Sequence, residues 1–339
     1  MSSLTGEPLQ TAPVCVSVIV PVYQTSTTLL PSLQALGRQS FHPLEIIVVD
    51  SSPDDRRRQE VLFALPDARY HYEPVRLGHQ AARNRGAELA RGELLAILDP
   101  DIYVGPGWLE ALVKAFRQTG GVILGPVFCF GNRWTDRVAN MAKFEVTLPE
   151  QTTAYQIDSC WSGNLLMHSA HYRAIGGFFT GAIQGDAFTA ARFRAAGIDL
   201  WLEPAAVGYH DHENIGWLPF LRERFRRGRE MALVKASGAG GTARWRRSRL
   251  AYRVLTSPLM PIRLAASIWT TGRRLTGTFH AREFMMTAPG LLVARAVWLL
   301  GMEFGYWALW VHPETRSSAW APNHSTRVNL ANQVTACRN

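Results

Sequence analysis

Residues 94–101 read LLAILDPD, five apolar residues followed by two carboxylates one position apart. A continuous apolar run of this length, set off upstream by Gly92, is what a strand buried on both faces shows. The triplet Asp99-Pro100-Asp101 therefore falls just past the carboxyl end of a strand, where open α/β sheets gather their ligands. Upstream, residues 14–23 (VCVSVIVPVY) and 45–50 (EIIVVD) repeat the pattern, and the second run ends at Asp50. Between them, residues 26–28 can cap a helix carrying Leu29, Leu30, Leu33 and Leu36. A second helix is predicted over His79 to Arg91, stopping at Gly92. Downstream, Gly121 to Val127 reads as a further strand and Asp186 to Ala196 as a helix closed by Gly197. Strands alternating with helices predict an α/β fold with a mixed, mostly parallel sheet flanked by helices.

Two aspartates so close together repel each other unless something shares their charge. A divalent cation, Mg²⁺ or Mn²⁺, does so, and it also grips a diphosphate and stabilises the charge that grows on a departing nucleotide. Taken alone, Asp-Pro-Asp is equally an ordinary turn. The surrounding blocks carry more weight: SVIVPVY, then EIIVVD, then Leu77-Gly78 and Ala82-Arg83-Asn84-Arg85-Gly86 shortly before LLAILDPD. Further on come Trp161-Ser162-Gly163-Asn164, Gly176-Gly177-Phe178, and Gly185-Asp186 with Phe188, Arg192 and Gly197 behind it.

This succession, over residues 15–215, resembles the family 2 glycosyltransferases, inverting enzymes of the GT-A fold. The resemblance implies a nucleotide-sugar donor, most commonly a UDP-sugar, with Pro21, Tyr23 and Asp50 holding base and ribose. Asp99 and Asp101 match the carboxylates that serve metal and diphosphate, Asp101 as the direct ligand. Arg83 falls where a cation near the donor phosphates is useful, its alternative being a helix-surface arginine, and Asn84 is placed to orient the same loop. Trp161, Gly163 and Asn164 match the acceptor side, and Asp186 matches the general base. Family members usually carry a glutamate before that aspartate; here Gly185 stands in its place, removing a group that helps position acceptor or base. His210 resembles a terminal histidine that some members use as a further metal ligand, with His212 close enough to compete.

The composition agrees with a globular α/β domain plus a second region: 339 residues, 47% of them apolar. The four cysteines, Cys15, Cys129, Cys160 and Cys337, have no zinc-like spacing and read as reduced thiols. Residues 1–13 show no cationic and apolar leader, so a cytoplasmic catalytic domain is expected. Positive charge is uneven: Arg222 to Arg253 contains eleven Lys or Arg against Glu223 and Glu230. Such a run suits nucleic acid or an anionic membrane surface. The Leu-, Ala- and Trp-rich stretch behind it favours lipid, and nucleic acid is not expected as a partner. Thr287 to Val311 is long enough to span a bilayer, but Arg295 and Glu303 make spanning costly. An in-plane helix, with Trp298, Tyr306, Trp307 and Trp310 at the interface and both charges near water, fits better.

The expected organisation is a tail over 1–13, a catalytic domain over 14–215, a basic and apolar helical region over 216–312 that associates with the cytoplasmic face of the membrane, and a flexible tail over 313–339. The acceptor expected beside such a membrane is lipid-linked or a growing glycan. Two rival functions are a nucleotide-sugar-binding relic, with Gly185 marking a decayed acceptor site, and a basic nucleic-acid-binding protein.

Overall fold

The computed structural model describes residues 16–24, 28–42, 44–130, 133–149, 151–180, 185–211, 216–236, 257–275, 278 and 280–311. The terminal tails, the Gly-rich stretch 237–242, His212, and the part of the basic run 222–253 beyond residue 236 lie outside the described residues. In chain order the elements are β1 (Val16–Val22), α1 (Leu29–Leu36), β2 (Leu44–Asp50), α2 (Arg57–Ala64), β3 (Arg69–Tyr72), α3 (His79–Leu89), β4 (Leu94–Leu98), β5 (Ile102–Val104), α4 (Trp108–Thr119), β6 (Val122–Leu124) and β7 (Val127–Phe130). They continue with α5 (Trp134–Phe144), β8 (Tyr155–Ile157), β9 (Asn164–His168), α6 (Ser169–Ala174), α7 (Gly185–Ala195), β10 (Leu200–Leu202), β11 (Gly208–Asp211), α8 (Trp217–Ala236), α9 (Met260–Leu275) and α10 (Ala281–Val311).

Eight strands form the main sheet in the order β3-β2-β1-β4-β9-β6-β10-β8. β1 is central and pairs in parallel with β2 and β4, in registers that put Val22 beside Asp50 and Ile19 beside Ile97. β1, β4 and the last five residues of β2 are buried, which is why their sequences are nearly unbroken apolar runs. β9 enters antiparallel between β4 and β6, and β8 closes the far edge antiparallel to β10. A small second sheet, β5-β11-β7, sets His210 in register with Ile102, next to Asp101. Asp50 and Asp99 thus stand at the carboxyl ends of β2 and β4, on either side of β1.

Close packing explains two glycines here. A Cβ at Gly92 would lie 2.7 Å from the backbone nitrogen of Ser17, so the chain can enter β4 beside β1 only without a side chain. Gly197 has φ +70 and ends α7 in the left-handed conformation expected of a helix-terminating glycine.

The C-terminal helices are not a separate appendage. α10 lies along α8 and α5: a Cβ at Gly301 or Gly228 would overlap the facing helix backbone, and one at Gly305 would lie 2.6 Å from the Arg229 carbonyl oxygen. Its packed face, from Thr287 and Gly290 through Ala294 to Tyr306 and Leu309, runs the length of the helix. Two expectations are corrected here. Arg295 is not near water but buried, donating from Nη1 to Ser267 O (2.6 Å) and from Nη2 to Thr271 Oγ1 (2.6 Å) and to Glu145. Glu303 likewise turns inward, pairing with Arg263 (2.6 Å) and accepting from Ser257 Oγ (2.6 Å). Burial of these charges is sustained by partners on other helices, which a window of local sequence cannot reveal. Tyr306 and Trp298 are also drawn inward, Tyr306 completely, whereas Trp307, Trp310 and Trp269 stay exposed.

Candidate active site

Asp99 and Asp101 sit in the turn between β4 and β5, and the chain gives each a different cationic or imidazole partner. Asp99 accepts a hydrogen bond from Nη2 of Arg83, reaching across from α3. Arg83 is 5% exposed, which excludes the surface-arginine reading. Burial opposes its charge, but Asp99 and Asp186 together hold its guanidinium above the ordinary arginine value. The crowding of the two aspartates is therefore relieved partly within the chain. Gly163 makes this possible: a Cβ there would overlap the Asp99 carboxylate, while its carbonyl accepts from the Asp99 backbone N–H at 2.9 Å.

Asp101 instead meets His210, with Oδ2 to Nε2 at 3.2 Å. The Phe144 ring packs against the imidazole with centroids 5.4 Å apart. The carboxylate suits Mg²⁺ or Mn²⁺ and the imidazole suits Mn²⁺, ions that one or two protein groups can hold while phosphates and waters complete the shell. Among the described residues there is no cluster of three His, Cys, Asp or Glu able to hold a metal ion without such outside ligands.

On the side of β1 and β2, Asp50 is fully buried and accepts from the Ser52 N–H (2.8 Å) and the Tyr70 hydroxyl (2.9 Å). Burial, with Asp50 next to it, pushes the Tyr70 phenol well above its usual range, so it remains a donor. Pro21 is the penultimate residue of β1, buried like the rest of the strand, and the Tyr23 ring lies under the Arg76 guanidinium at 4.3 Å. Between them and Asp50, Gln24 takes φ +43, an unusual backbone for a residue with a side chain, and donates its N–H to Ser52 Oγ at 3.0 Å. This strained junction fixes the rim on which Tyr23 stands.

Asp186 occupies the first turn of α7, where the helix dipole attracts negative charge. Its Oδ1 accepts from Gln80 Nε2 (2.8 Å) and from Ser162 Oγ. Gln80 also donates to Ser162 Oγ at 3.0 Å, closing a three-membered ring of hydrogen bonds. Sequence reasoning missed Gln80, because glutamine at a helix start carries no signature. It also explains Gly185: a Cβ there would lie 3.0 Å from Gln80 Cγ and 2.9 Å from Phe179 O. The space in which a preceding glutamate would begin is occupied by the glutamine that now positions the aspartate.

Of the acceptor-side residues, Trp161 and Asn164 are committed to the framework. Trp161 Nε1 donates to Gly125 O (2.8 Å). Asn164 is fully buried, accepting from Trp108 Nε1 (2.8 Å) and donating to Ala206 O (3.0 Å). Asn84 clamps the 176–178 loop to α3: its Oδ1 accepts from the Phe178 N–H (2.8 Å) and its Nδ2 donates to Phe178 O (2.9 Å).

Asp99, Asp101, His210 and Asp186 all open into one cleft of about 1300 Å³. Its far wall is an unexpected one, made by the end of α5 and by α8 and α10. The basic run was expected to face lipid, yet in its described part Arg224 and Arg227 turn into this cleft. Cys160 also lines it, and burial, together with Asp186, pushes its thiol well above the usual value, in keeping with a reduced cysteine.

Comparison with known proteins agrees with this arrangement. Residues 17–176 match the family model described as glycosyl transferase family 2. The putative glycosyltransferase EpsH of Bacillus subtilis is 36% identical over 107 residues, 29% of this chain and 29% of that protein. The glycosyltransferase AglE of Haloferax volcanii is 28% identical over 227 residues, covering 63% of this chain and 72% of its own length. A glucosyl-dolichyl phosphate glucuronosyltransferase of the same archaeon is 30% identical over 107 residues and is covered over 34% of its length. Among solved structures, the mannosyltransferase PcManGT from Pyrobaculum calidifontis, in complex with GDP-Man and Mn²⁺, superposes with TM-score 0.52 at 20% identity over 92% of both chains. GalNAc-T7 with UDP, GalNAc and Mn²⁺ gives 0.50 at 13% identity over 70% of this chain and 53% of that one. These likenesses establish the GT-A fold, and residues 17–176, which carry β1, β2 and β4 with Asp50, Asp99 and Asp101, match glycosyl transferase family 2.

Proposed function

We propose that the protein is an inverting glycosyltransferase moving a sugar from a nucleoside diphosphate donor, UDP-linked or GDP-linked, to a hydroxyl acceptor. The observation that carries this reading is the separation of carboxylates within one cleft: Asp99 and Asp101 at the end of β4, and Asp186 held independently by Gln80 and Ser162. Asp186 takes the proton of the acceptor hydroxyl as its oxygen attacks the anomeric carbon. The bond from that carbon to the diphosphate oxygen breaks on the opposite side, the nucleoside diphosphate leaves with the bonding electrons, and the configuration inverts. Asp101 and His210 would hold a divalent cation, Mg²⁺ or Mn²⁺, which when bound neutralises charge on the leaving diphosphate. Asp50, Pro21 and Tyr23 form the base and ribose side, and Arg83 fixes Asp99 through their ion pair.

The acceptor is lipid-linked or a growing glycan, met at the cytoplasmic face of a membrane. Supporting this, α9 and α10 expose the large apolar side chains of Ile262, Trp269, Leu292, Val293, Phe304 and Trp307. α10 has the length and composition of a membrane span, but its opposite face packs on α5 and α8 along the whole helix. This supports shallow, in-plane contact of 216–311 with the bilayer. The test is release of nucleoside diphosphate from a panel of UDP- and GDP-sugars with Mn²⁺, Mg²⁺ or chelator. Metal-dependent release from at least one donor is expected; no release from any, or release undiminished by chelator, overturns the reading or its metal component respectively.

A further inference from the structure

The far wall of the cleft is charged in a way that transfer chemistry at Asp99, Asp101 and Asp186 leaves unused. Glu223 on α8 accounts for two of its cations, bonding Lys143 (3.2 Å) and Arg227 (2.8 Å). Glu145 accounts for a third, Arg295. Arg224 is different. Among the described residues no carboxylate makes an ion pair with it, and its buried Nε has no hydrogen-bond partner. Burial, and then the like charge of Arg227, pull its guanidinium down to about 10, with Arg295 adding to the repulsion and Glu223 and Glu145 only partly opposing it.

A guanidinium with that value is still charged at neutral pH, so a desolvated cation sits beside two others. An anion seated against it removes the conflict, and the forked donors of arginine match a phosphate. The same stretch of wall presents Met231, Val234, Trp298 and Leu299 to the cleft. Cations and apolar side chains side by side select a ligand that has both a phosphate and a hydrocarbon part. The donor diphosphate has a different place, beside Asp101 and His210. Phe144 packs on that histidine, and its neighbours Lys143 and Glu145 belong to the arginine wall.

We propose that Arg224, flanked by Arg227 and Lys143, is a phosphate subsite for the acceptor, which is therefore an isoprenoid-type lipid phosphate or diphosphate bearing the sugar to be extended. Only the word acceptor rests on the glycosyl transfer reading. The phosphate is a handle, and the attacked hydroxyl lies elsewhere on the ligand, because Asp186 serves a group that must lose a proton.

The experiment measures binding, without turnover, of geranyl phosphate, geraniol and inorganic pyrophosphate to the full chain by calorimetry. Geranyl phosphate is expected to bind at least ten-fold more tightly than geraniol, and Arg224→Gln to weaken it about ten- to a hundred-fold, the usual range for a lost hydrogen bond to a charged group. Asp101→Asn, which disturbs the donor diphosphate site, should leave geranyl phosphate binding as it is. Equal binding by Arg224→Gln and the unaltered chain overturns the subsite. So does a loss caused by Asp101→Asn, since the anion then belongs with the donor, and so does pyrophosphate binding that depends on Arg224 while geranyl phosphate binding does not. If Arg224→Gln does not fold, thermal shifts of the unaltered chain decide: geranyl phosphate raises the melting temperature and geraniol does not, and equal shifts overturn the proposal. If binding depends on Arg224 but no nucleotide-sugar is turned over, the subsite stands and the glycosyltransferase reading fails.

Discussion

Replacing Asp186 by Asn separates the chemistry of this carboxylate from its place in the fold. Both its hydrogen-bond donors, Gln80 Nε2 and Ser162 Oγ, converge on Oδ1. Asparagine retains an oxygen at that position, so the ring joining α3, α7 and the loop before β9 is kept, and the fold should lose little stability. What disappears is basicity. A positioned general base contributes about two to four orders of magnitude, so turnover should fall by about 10²- to 10⁴-fold, equivalent to about 3 to 5 kcal/mol in the barrier. Nucleotide binding should be unchanged, because the groups assigned to the nucleotide and metal, Asp50, Asp101 and His210, stand on β2, the turn after β4 and β11, and not on α7. The assay pairs calorimetric titration of the donor nucleotide with single-turnover transfer on one preparation of Asp186→Asn. Turnover within three-fold or so of the unaltered enzyme would refute the assignment of the base, and loss of nucleotide binding would refute the separation of roles.

Three further outcomes follow from the packing. Arg295→Met leaves Glu145 charged and without its arginine, and should cost about 3 to 5 kcal/mol in denaturant unfolding, with Glu145→Gln added to it recovering a part; no change on Arg295→Met would contradict the buried pairing. His171 is held down to about 4 by burial and by the neighbouring His168. The folded protein therefore binds its proton less readily than the unfolded chain, and stability that is complete above pH 6.5 should decline by at most about 3 kcal/mol as pH falls from 6.5 to 4. Melting curves should show that decline flattened in His171→Leu. Finally, Trp269→Ser combined with Ile262→Ser should reduce sedimentation with lipid vesicles while leaving nucleotide binding intact; undiminished sedimentation would point to a different membrane-facing surface.

What the sequence disclosed follows the strength of its local signals. β1, β2 and β4 are legible because a strand buried on both faces must be apolar at nearly every position, and the aspartates behind two of them then mark the ligand edge. β8 and β10 have three residues each, too few for any periodicity to emerge, and they are fixed by pairing with distant strands. The role of Gln80 is likewise a matter of tertiary distance, since its partner Asp186 lies 106 positions away. Arg295 is the clearest case: a cation in an apolar helix reads as a residue seeking water, and only Glu145, 150 positions earlier, turns it into an interior one. The same holds for Gly228, Gly301 and Gly305, unremarkable in the sequence yet the points where two helices touch backbone to backbone.

Because α10 is the last described helix and yet completes the cleft opposite the sheet, the chain finishes its site in the reverse of the order in which it starts it. Every strand of both sheets has been synthesised by Asp211, a hundred residues before Val311. At translation rates of roughly 5 to 20 residues per second, the sheet then waits on the order of ten seconds for the helix that carries Arg295 to Glu145 and seats Trp298 at the cleft. During that interval the α5 and α8 surfaces that α10 will cover face solvent, so the nascent protein passes through a stage with a formed sheet and an open wall. Premature termination before α10 would leave a product that keeps its strands but presents those apolar surfaces to chaperones and proteases, tying the survival of the catalytic sheet to the arrival of its final helix.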